Sequence, residues 1–297
     1  HKVLFDLGVV STTEPFQKLY NQGMILSFAY QDARGATVAV DQAEEVADGE
    51  FRHKDSGEPL TRVVAKMSKT LKNVVNPDDV IHNFGADTLR LYEMYMGPLA
   101  DPKPWNTKDV AGVHRFLNRV WRLVVPKEEG VDLRPNLRTE QAADPALERL
   151  LHRTVHKVTG DIDKLAFNTA IAAMIVWVNE ATKAQDALSR SQIARFLGVL
   201  NPFAPHLTEE LWSRLGLPGD ASLAVWPEVD PAQLVDDDVE LVVQVLGKLR
   251  GRIVVPNGSA DADVLAAARE AVAEHLTGKT IVKEIVVPGR LVNFVVK

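Results

Sequence analysis

The spacing of apolar and polar positions divides the chain into three kinds of segment. Between His1 and about Val64 no single period dominates. The pattern there allows a short helix over Lys2 to Leu7 and a strand around Met24 to Tyr30, and "DQAEEVADGEFRHKDSGEPLTR" reads as a turn-rich, acidic surface insertion punctuated by Gly and Pro. From Pro77 the period becomes helical. Val80, Ile81 and Phe84, then Leu89, Leu91, Tyr92 and Tyr95, recur at three-to-four spacing, with Asn76 placed as a cap and Pro77 at the first helical position. A second helix is predicted from Thr107 to about Val125. Its residues Val113, Phe116, Leu117, Val120 and Leu123 form one stripe, while Arg115, Arg119 and Arg122 fall near one another on the other side.

Asp144-Pro145 opens a third helix that would bury Leu147, Leu151, Val155, Val158 and Ile162. "FNTAIAAMIVWVNEATK" supplies a fourth, a fifth begins near Ser191, and the last follows Pro205 and stops at Gly216, a natural C-cap. Antiparallel helices with short connections imply a bundle. Beyond the stretch from Leu217 to Pro231, which is rich in Pro and Gly, β-branched residues take over. "VELVVQVL" and "GRIVVP" flank the hairpin signal "GKLR", "DADVLAAAREAVAEHL" is helical, and "TIVKEIVVPG" with "RLVNFVVK" makes a second strand pair. The order ββαββ implies a small α+β domain with its helix on one sheet face. The expected class is therefore mainly α with α+β.

Length and composition narrow the possibilities. At 297 residues the chain exceeds what one core usually supports, so two or three domains are expected, and 46% hydrophobic with 25% charged residues is ordinary for packed domains. A net charge of -6 argues against indiscriminate nucleic-acid binding and confines any RNA contact to local clusters of Lys and Arg. The absence of cysteine excludes disulfides and thiolate zinc sites, so no structural metal is expected. The longest apolar run, Ile171 to Val178, is far short of the ~20 residues a bilayer span needs. With no signal-peptide pattern in "HKVLFDLGVV", a cytoplasmic location without a membrane partner is the expectation. The opening reads as the middle of something longer.

Candidate chemistry concentrates in "AKMSKTLKN". Phosphoryl oxygens under attack gather negative charge, and Lys offers a compact cation on a long stem that a loop can bring to meet it. Lys66 and Lys69 are two such stems, with Met67 and the Ser68 hydroxyl between them. Taken alone, five such residues fit a solvated polar loop better, and it is the context that reverses this. The longer context resembles the KMSKS loop of class I aminoacyl-tRNA synthetases, and "NPDDVIHNFGADTLRLYEMYMGP" looks like the helical segment that follows it in the leucine, isoleucine, valine and methionine subgroup. Thr70 stands for the usual final Ser, and Leu71-Lys72 stands where that subgroup often has Lys-Gly before Asn73.

Within the subgroup, "FNTAIAAMIVWVNE", "LNPFAPHLTEELW", "VVQVLGKLRGRIVVP" and "IVVPGRLVNFVVK" resemble leucyl-tRNA synthetases of bacterial type. The family's other signature, His-x-Gly-His, occurs nowhere in the sequence, nor does most of the parallel-strand fold. The resemblance implies residues 1–75 as the end of a class I Rossmann-type catalytic domain, with a small insert at about 27–62 and the loop at 66–70. Residues 76–230 would then be a helical tRNA-binding bundle of the anticodon-binding-domain kind, and residues 235–297 a terminal tRNA-binding domain.

It further implies that leucine is activated with ATP and Mg2+ and attached to tRNA(Leu), with Lys66, Met67, Ser68 and Lys69 at the ATP and both lysines catalytic. The missing N-terminal half, in cis or as a separate subunit, would be a partner, and this chain alone would not be competent. Arg115, Arg119 and Arg122 could meet tRNA phosphates or form a solvated face paired to acids. Lys248, Arg250 and Arg252, at alternate positions around a hairpin with no obvious acidic partner, point to RNA. The other readings are a tRNA-binding module without catalysis and a synthetase specific for valine, isoleucine or methionine.

Overall fold

In the computed structural model, residues 1–235 and 238–297 are described; Asp236 and Asp237, at the start of the expected terminal domain, lie outside the described residues. The chain forms two units, His1–Val229 and Asp230–Lys297. The first opens with a short helix α1 (Lys2–Asp6), none of whose residues is buried. Five strands follow: β1 (Ile25–Gln31), β2 (Thr37–Val38), β3 (Ala43–Ala47), β4 (Glu50–His53) and β5 (Pro59–Ala65). Their order across the sheet is β2-β1-β5-β4-β3.

The acidic insertion is built as a β-meander, with strands the sequence reading did not assign. It is held by few apolar residues: Phe51 and Leu60 are opposite one another across β4 and β5 and are buried, and the Tyr30 ring lies 4.9 Å from that of Phe51. The Arg62 guanidinium sits over Phe28 and Phe51. Strand β3 exposes four of its five residues, so it carries no alternation for a sequence window to detect.

Gly23, just before β1, donates its N–H to Leu99 O at 2.7 Å. A Cβ there would lie 2.1 Å from Asp101 O, so no larger residue fits this approach. The helical period after the lysine loop is carried by two helices, α2 (Pro77–Phe84) and α3 (Ala86–Tyr95), because Gly85 adopts φ 89° and ψ 154° and interrupts the ladder. Asn76 caps α2 through Asp78 N–H, as its position suggests. Strand β6 (Lys103–Pro104) returns to pair with β1 in parallel, the one parallel pairing of this sheet among the described residues.

Helices α4 (Thr107–Val124), α5 (Pro145–Asp163), α6 (Phe167–Lys183), α7 (Arg190–Leu200) and α8 (Pro205–Arg214) complete the first unit. Asp144 caps α5 through Leu147 N–H, and Ser189 with Gln192 forms a capping box on α7. The stripe expected on α4 is buried, and one core runs from Val80 to Leu215. Trp177 stacks on Phe196 at 4.2 Å inside it, both fully buried; a side chain of that class contributes about 1.5–3 kcal/mol by leaving water. Ile25, Met67 and Val75 pack against the same core, which ties the sheet and the lysine loop to the helices.

In the second unit, β7 (Asp238–Val245), β8 (Lys248–Pro256), α9 (Asp261–Ala271), α10 (Ala273–Leu276), β9 (Ile281–Val287) and β10 (Leu291–Val296) follow the expected order, except that the helical stretch breaks at Val272. The sheet order is β8-β7-β10-β9, with β7 and β10 parallel. Val243, Val292 and Phe294 are fully buried in its core with Ala268 of α9. No helix among the described residues is long and apolar enough to cross a membrane.

Candidate functional site

The lysine loop leaves β5 and re-enters at α2. Met67 is its anchor, packed on the helical core, while Lys66 and Lys69 on either side are exposed. Neither lysine has an ion-pair partner among the described residues, so both ammonium groups are available. Asn73, buried at 5% exposure, shapes the loop from within: its Oδ1 accepts from Ser68 N at 2.8 Å and its Nδ2 donates to Lys66 O at 3.3 Å. The Ser68 hydroxyl accepts from Leu71 N at 3.2 Å. In this conformation the Ser68 N–H is already committed inside the loop, leaving the two lysines as its free donors of charge.

Lys72, where related loops often have Gly, has φ 49°, the left-handed region that glycine adopts most easily. Its Nζ donates to Asp41 Oδ2 at 2.5 Å, and that hydrogen bond holds the Asp41 carboxyl below the usual carboxylate range. Sequence reasoning missed both residues. The Gly-to-Lys departure was the signal for Lys72; nothing local marks Asp41.

On α4, Arg115 and Arg122 are exposed and Arg119 is half-buried. The three share one groove with Gly112 and Asn118, about 610 Å³ in volume. A second hollow of about 490 Å³ continues from Arg119 and Arg122 to Lys127, Arg134 and Thr182. Arg119 Nη1 donates to Asn179 Oδ1 at 2.5 Å, and its buried Nε has no hydrogen-bond partner. Among the described residues no carboxylate forms an ion pair with any of the three arginines, although Glu128 also lines the second hollow. Lys127 and Arg134 lie outside the helical repeat of the first three, and only the fold brings them to the same hollow.

The terminal hairpin departs from expectation. Leu246 and Gly247 turn with φ 52° and 75°, the geometry of a tight two-residue connection. A bulge then shifts the register: Gln244 pairs with Leu249 and Val243 with Gly251, so Arg250 has no partner position. Lys248 consequently lies opposite Val245 on the buried-residue side of the ladder, while Arg252 lies opposite Val242 on the other side. Arg252 also has an acidic partner, since its Nη1 donates to Glu240 Oε1 at 2.6 Å. The premise of three unpaired cations in one row is therefore corrected for Arg252 and for the row.

A further cleft, about 310 Å³ and mainly apolar, is lined by Phe84, His114, Leu117, Trp121 and His206. Asp87 at its edge is 7% exposed but satisfied: Oδ2 accepts from Leu207 N at 2.7 Å and Oδ1 stands 2.8 Å from His206 Nδ1. That carboxylate caps α8 and is spent on structure.

Residues 144–266 match the anticodon-binding domain of tRNA ligase, and residues 63–103, which contain the lysine loop, match the tRNA synthetases of class I (I, L, M and V). In these two segments the chain is similar to class I tRNA synthetases. All of this chain aligns with 35% of the LeuRS of Agrobacterium radiobacter, solved as a ternary complex with tRNA and LeuAMS, at 28% identity and a TM-score of 0.68. It thus spans about a third of that LeuRS. The apo methionyl-tRNA synthetase of Mycobacterium tuberculosis aligns over 48% of this chain and 35% of its own, at 16% identity and a TM-score of 0.37. The mixture of bundle and small sheets in this chain is similar to the architecture of the LeuRS region it covers.

Proposed function

We propose that this chain is part of a leucine-tRNA ligase, supplying the lysine loop for leucine activation and helical and terminal surfaces for tRNA(Leu). The observation that carries the reading is the pair of free ammonium groups, Lys66 and Lys69, on a loop pinned by Met67 and Asn73 within the segment that matches class I synthetases. In the activation step a leucine carboxylate oxygen attacks the α-phosphorus of ATP and pyrophosphate leaves. Negative charge grows on the phosphate oxygens, and Lys66 and Lys69 stabilise it most where it is greatest, in the transition state. Magnesium arrives with ATP as part of the substrate. The leucyl group then passes to the tRNA end.

The likeness to a LeuRS over the whole chain favours leucine over valine, isoleucine or methionine. We assign residues 1–75 to the end of the catalytic domain, 76–230 to the bundle and 235–297 to the terminal domain, with Arg115, Arg119, Arg122, Lys248 and Arg250 facing RNA backbone. Arg252 joins them only if it leaves Glu240. The chain by itself lacks the His-x-Gly-His element and is expected to show no leucine-dependent pyrophosphate exchange.

In the complete synthetase, Lys69→Ala should slow that exchange by roughly 10²- to 10³-fold, with kcat affected more than the KM for leucine. An unchanged rate would make the loop idle and leave a tRNA-binding module as the better reading. Exchange driven by another amino acid in preference to leucine would replace the specificity.

A further inference from the structure

Both ends of the lysine loop are tethered, and the two tethers differ in kind. At its entry, Ala65 is the last residue of β5 and lies opposite Ser27 of β1 in a regular ladder. At its exit, Leu71 O accepts from Val40 N at 3.0 Å and Lys72 Nζ donates to Asp41 Oδ2 at 2.5 Å. Val40 and Asp41 belong to the meander between β2 and β3, and this corner is braced: Lys54 Nζ donates to Asp41 O at 2.6 Å and Lys54 N to Gln42 O at 2.9 Å. Lys72 meanwhile holds a left-handed backbone that a lysine resists, with only a turn hydrogen bond to Lys69 O, at 3.3 Å, closing it locally.

We propose that Asp41 is a positioning residue for the lysine loop: by pairing with Lys72 it holds the loop's left-handed exit, and so determines where Lys66 and Lys69 stand when the ATP phosphates arrive. The inference rests on the reading of that loop as an ATP-phosphate contact. The ion pair is half-exposed, with 61% and 50% of the two side chains accessible, so it adds little to global folding. Its leverage is local. Leu71 and Lys72 directly precede Asn73, which holds Lys66 O and Ser68 N, so a displaced exit moves the internal bonds that shape the loop. The meander thereby acts on catalysis without touching substrate.

The test is leucine-dependent pyrophosphate exchange in the complete synthetase. Asp41→Asn should raise the KM for ATP by about 3- to 5-fold at low salt, the range of one exposed ion pair, and leave the KM for leucine unchanged. The difference from wild type should shrink as salt rises. Asp41→Lys should raise it further, and combining Asp41→Lys with Lys72→Asp should recover most of the loss by restoring the pair in reverse.

That reversal separates positioning from direct contact, because a Lys72 that itself met phosphate would not be rescued by an aspartate. An unmoved KM for ATP in Asp41→Asn, or losses in the reversed pair that simply multiply, would overturn the proposal. Lys69→Ala run alongside tells the failures apart: if it slows exchange while the Asp41 variants do nothing, only the role of Asp41 falls. If Lys69→Ala is itself silent, the loop reading falls and takes this inference with it.

Discussion

Two sets of three cations stand out in this chain, one on α4 and one at the β7–β8 hairpin, and their fates differ. On the helix, the spacing of Arg115, Arg119 and Arg122 brings their side chains to one groove, because a continuous helical backbone turns any such spacing into a shared face. At the hairpin, equal spacing of Lys248, Arg250 and Arg252 fails to give a row, because one bulge re-phases the strand. Among the described residues the first set forms no ion pair, although Glu128 lines the hollow beside Arg119 and Arg122, whereas Arg252 of the second is bound to Glu240. Charge at regular spacing thus gives a shared cationic face more dependably on a long helix than beside a turn.

The comparison can be broken most directly on α4. Replacing Arg115, Arg119 and Arg122 together by Ala should weaken tRNA binding by roughly 10²-fold and flatten the log-log salt dependence by about one unit for each phosphate no longer neutralised. Filter binding across a salt series measures both, and unchanged affinity would remove the groove from the RNA surface. Lys248→Ala with Arg250→Ala should cost roughly 10-fold in the same assay, while Arg252→Ala alone costs less than either single change. An Arg252→Ala loss equal to theirs would show that Glu240 does not hold it back.

Smaller effects sharpen the contrast further. Asn179→Ala removes the acceptor of half-buried Arg119 and should lower unfolding stability by about 1 kcal/mol in a denaturant titration, a loss absent when Arg122→Ala is made instead. Smallest of all, Glu240→Gln should release Arg252 and raise tRNA affinity by no more than about 3-fold at low salt, the scale of an exposed pair. A fall in affinity would mean that the pair positions Arg252 for RNA rather than withholding it.

Much of the fold was legible because it is encoded over short distances. The buried stripe of α4, the Asn76 and Asp144 caps and the ββαββ order each depend on residues a few positions apart. The meander was missed because β3 and β4 bury only Phe51 outright, so their pairing rests on backbone bonds rather than on an apolar pattern. Gly85 was passed over because the apolar spacing on either side of it still fits one helix. The lysine loop was readable from its residue types, but its left-handed exit at Lys72 was not, since a sequence records which residue is present and not the φ it is made to adopt.

By itself, then, the sequence determined where periodic elements form and which residue types could meet phosphate. The tertiary structure alone decided which cations remain free to do so. Arg252 meets a carboxylate 12 residues away, Lys72 one 31 residues away, and Arg119 an amide 60 residues away. The reason is physical: a charge is neutralised by whatever lies within a few ångströms of it, and for these residues that neighbourhood is assembled by strand pairing and helix packing rather than by the order of the chain.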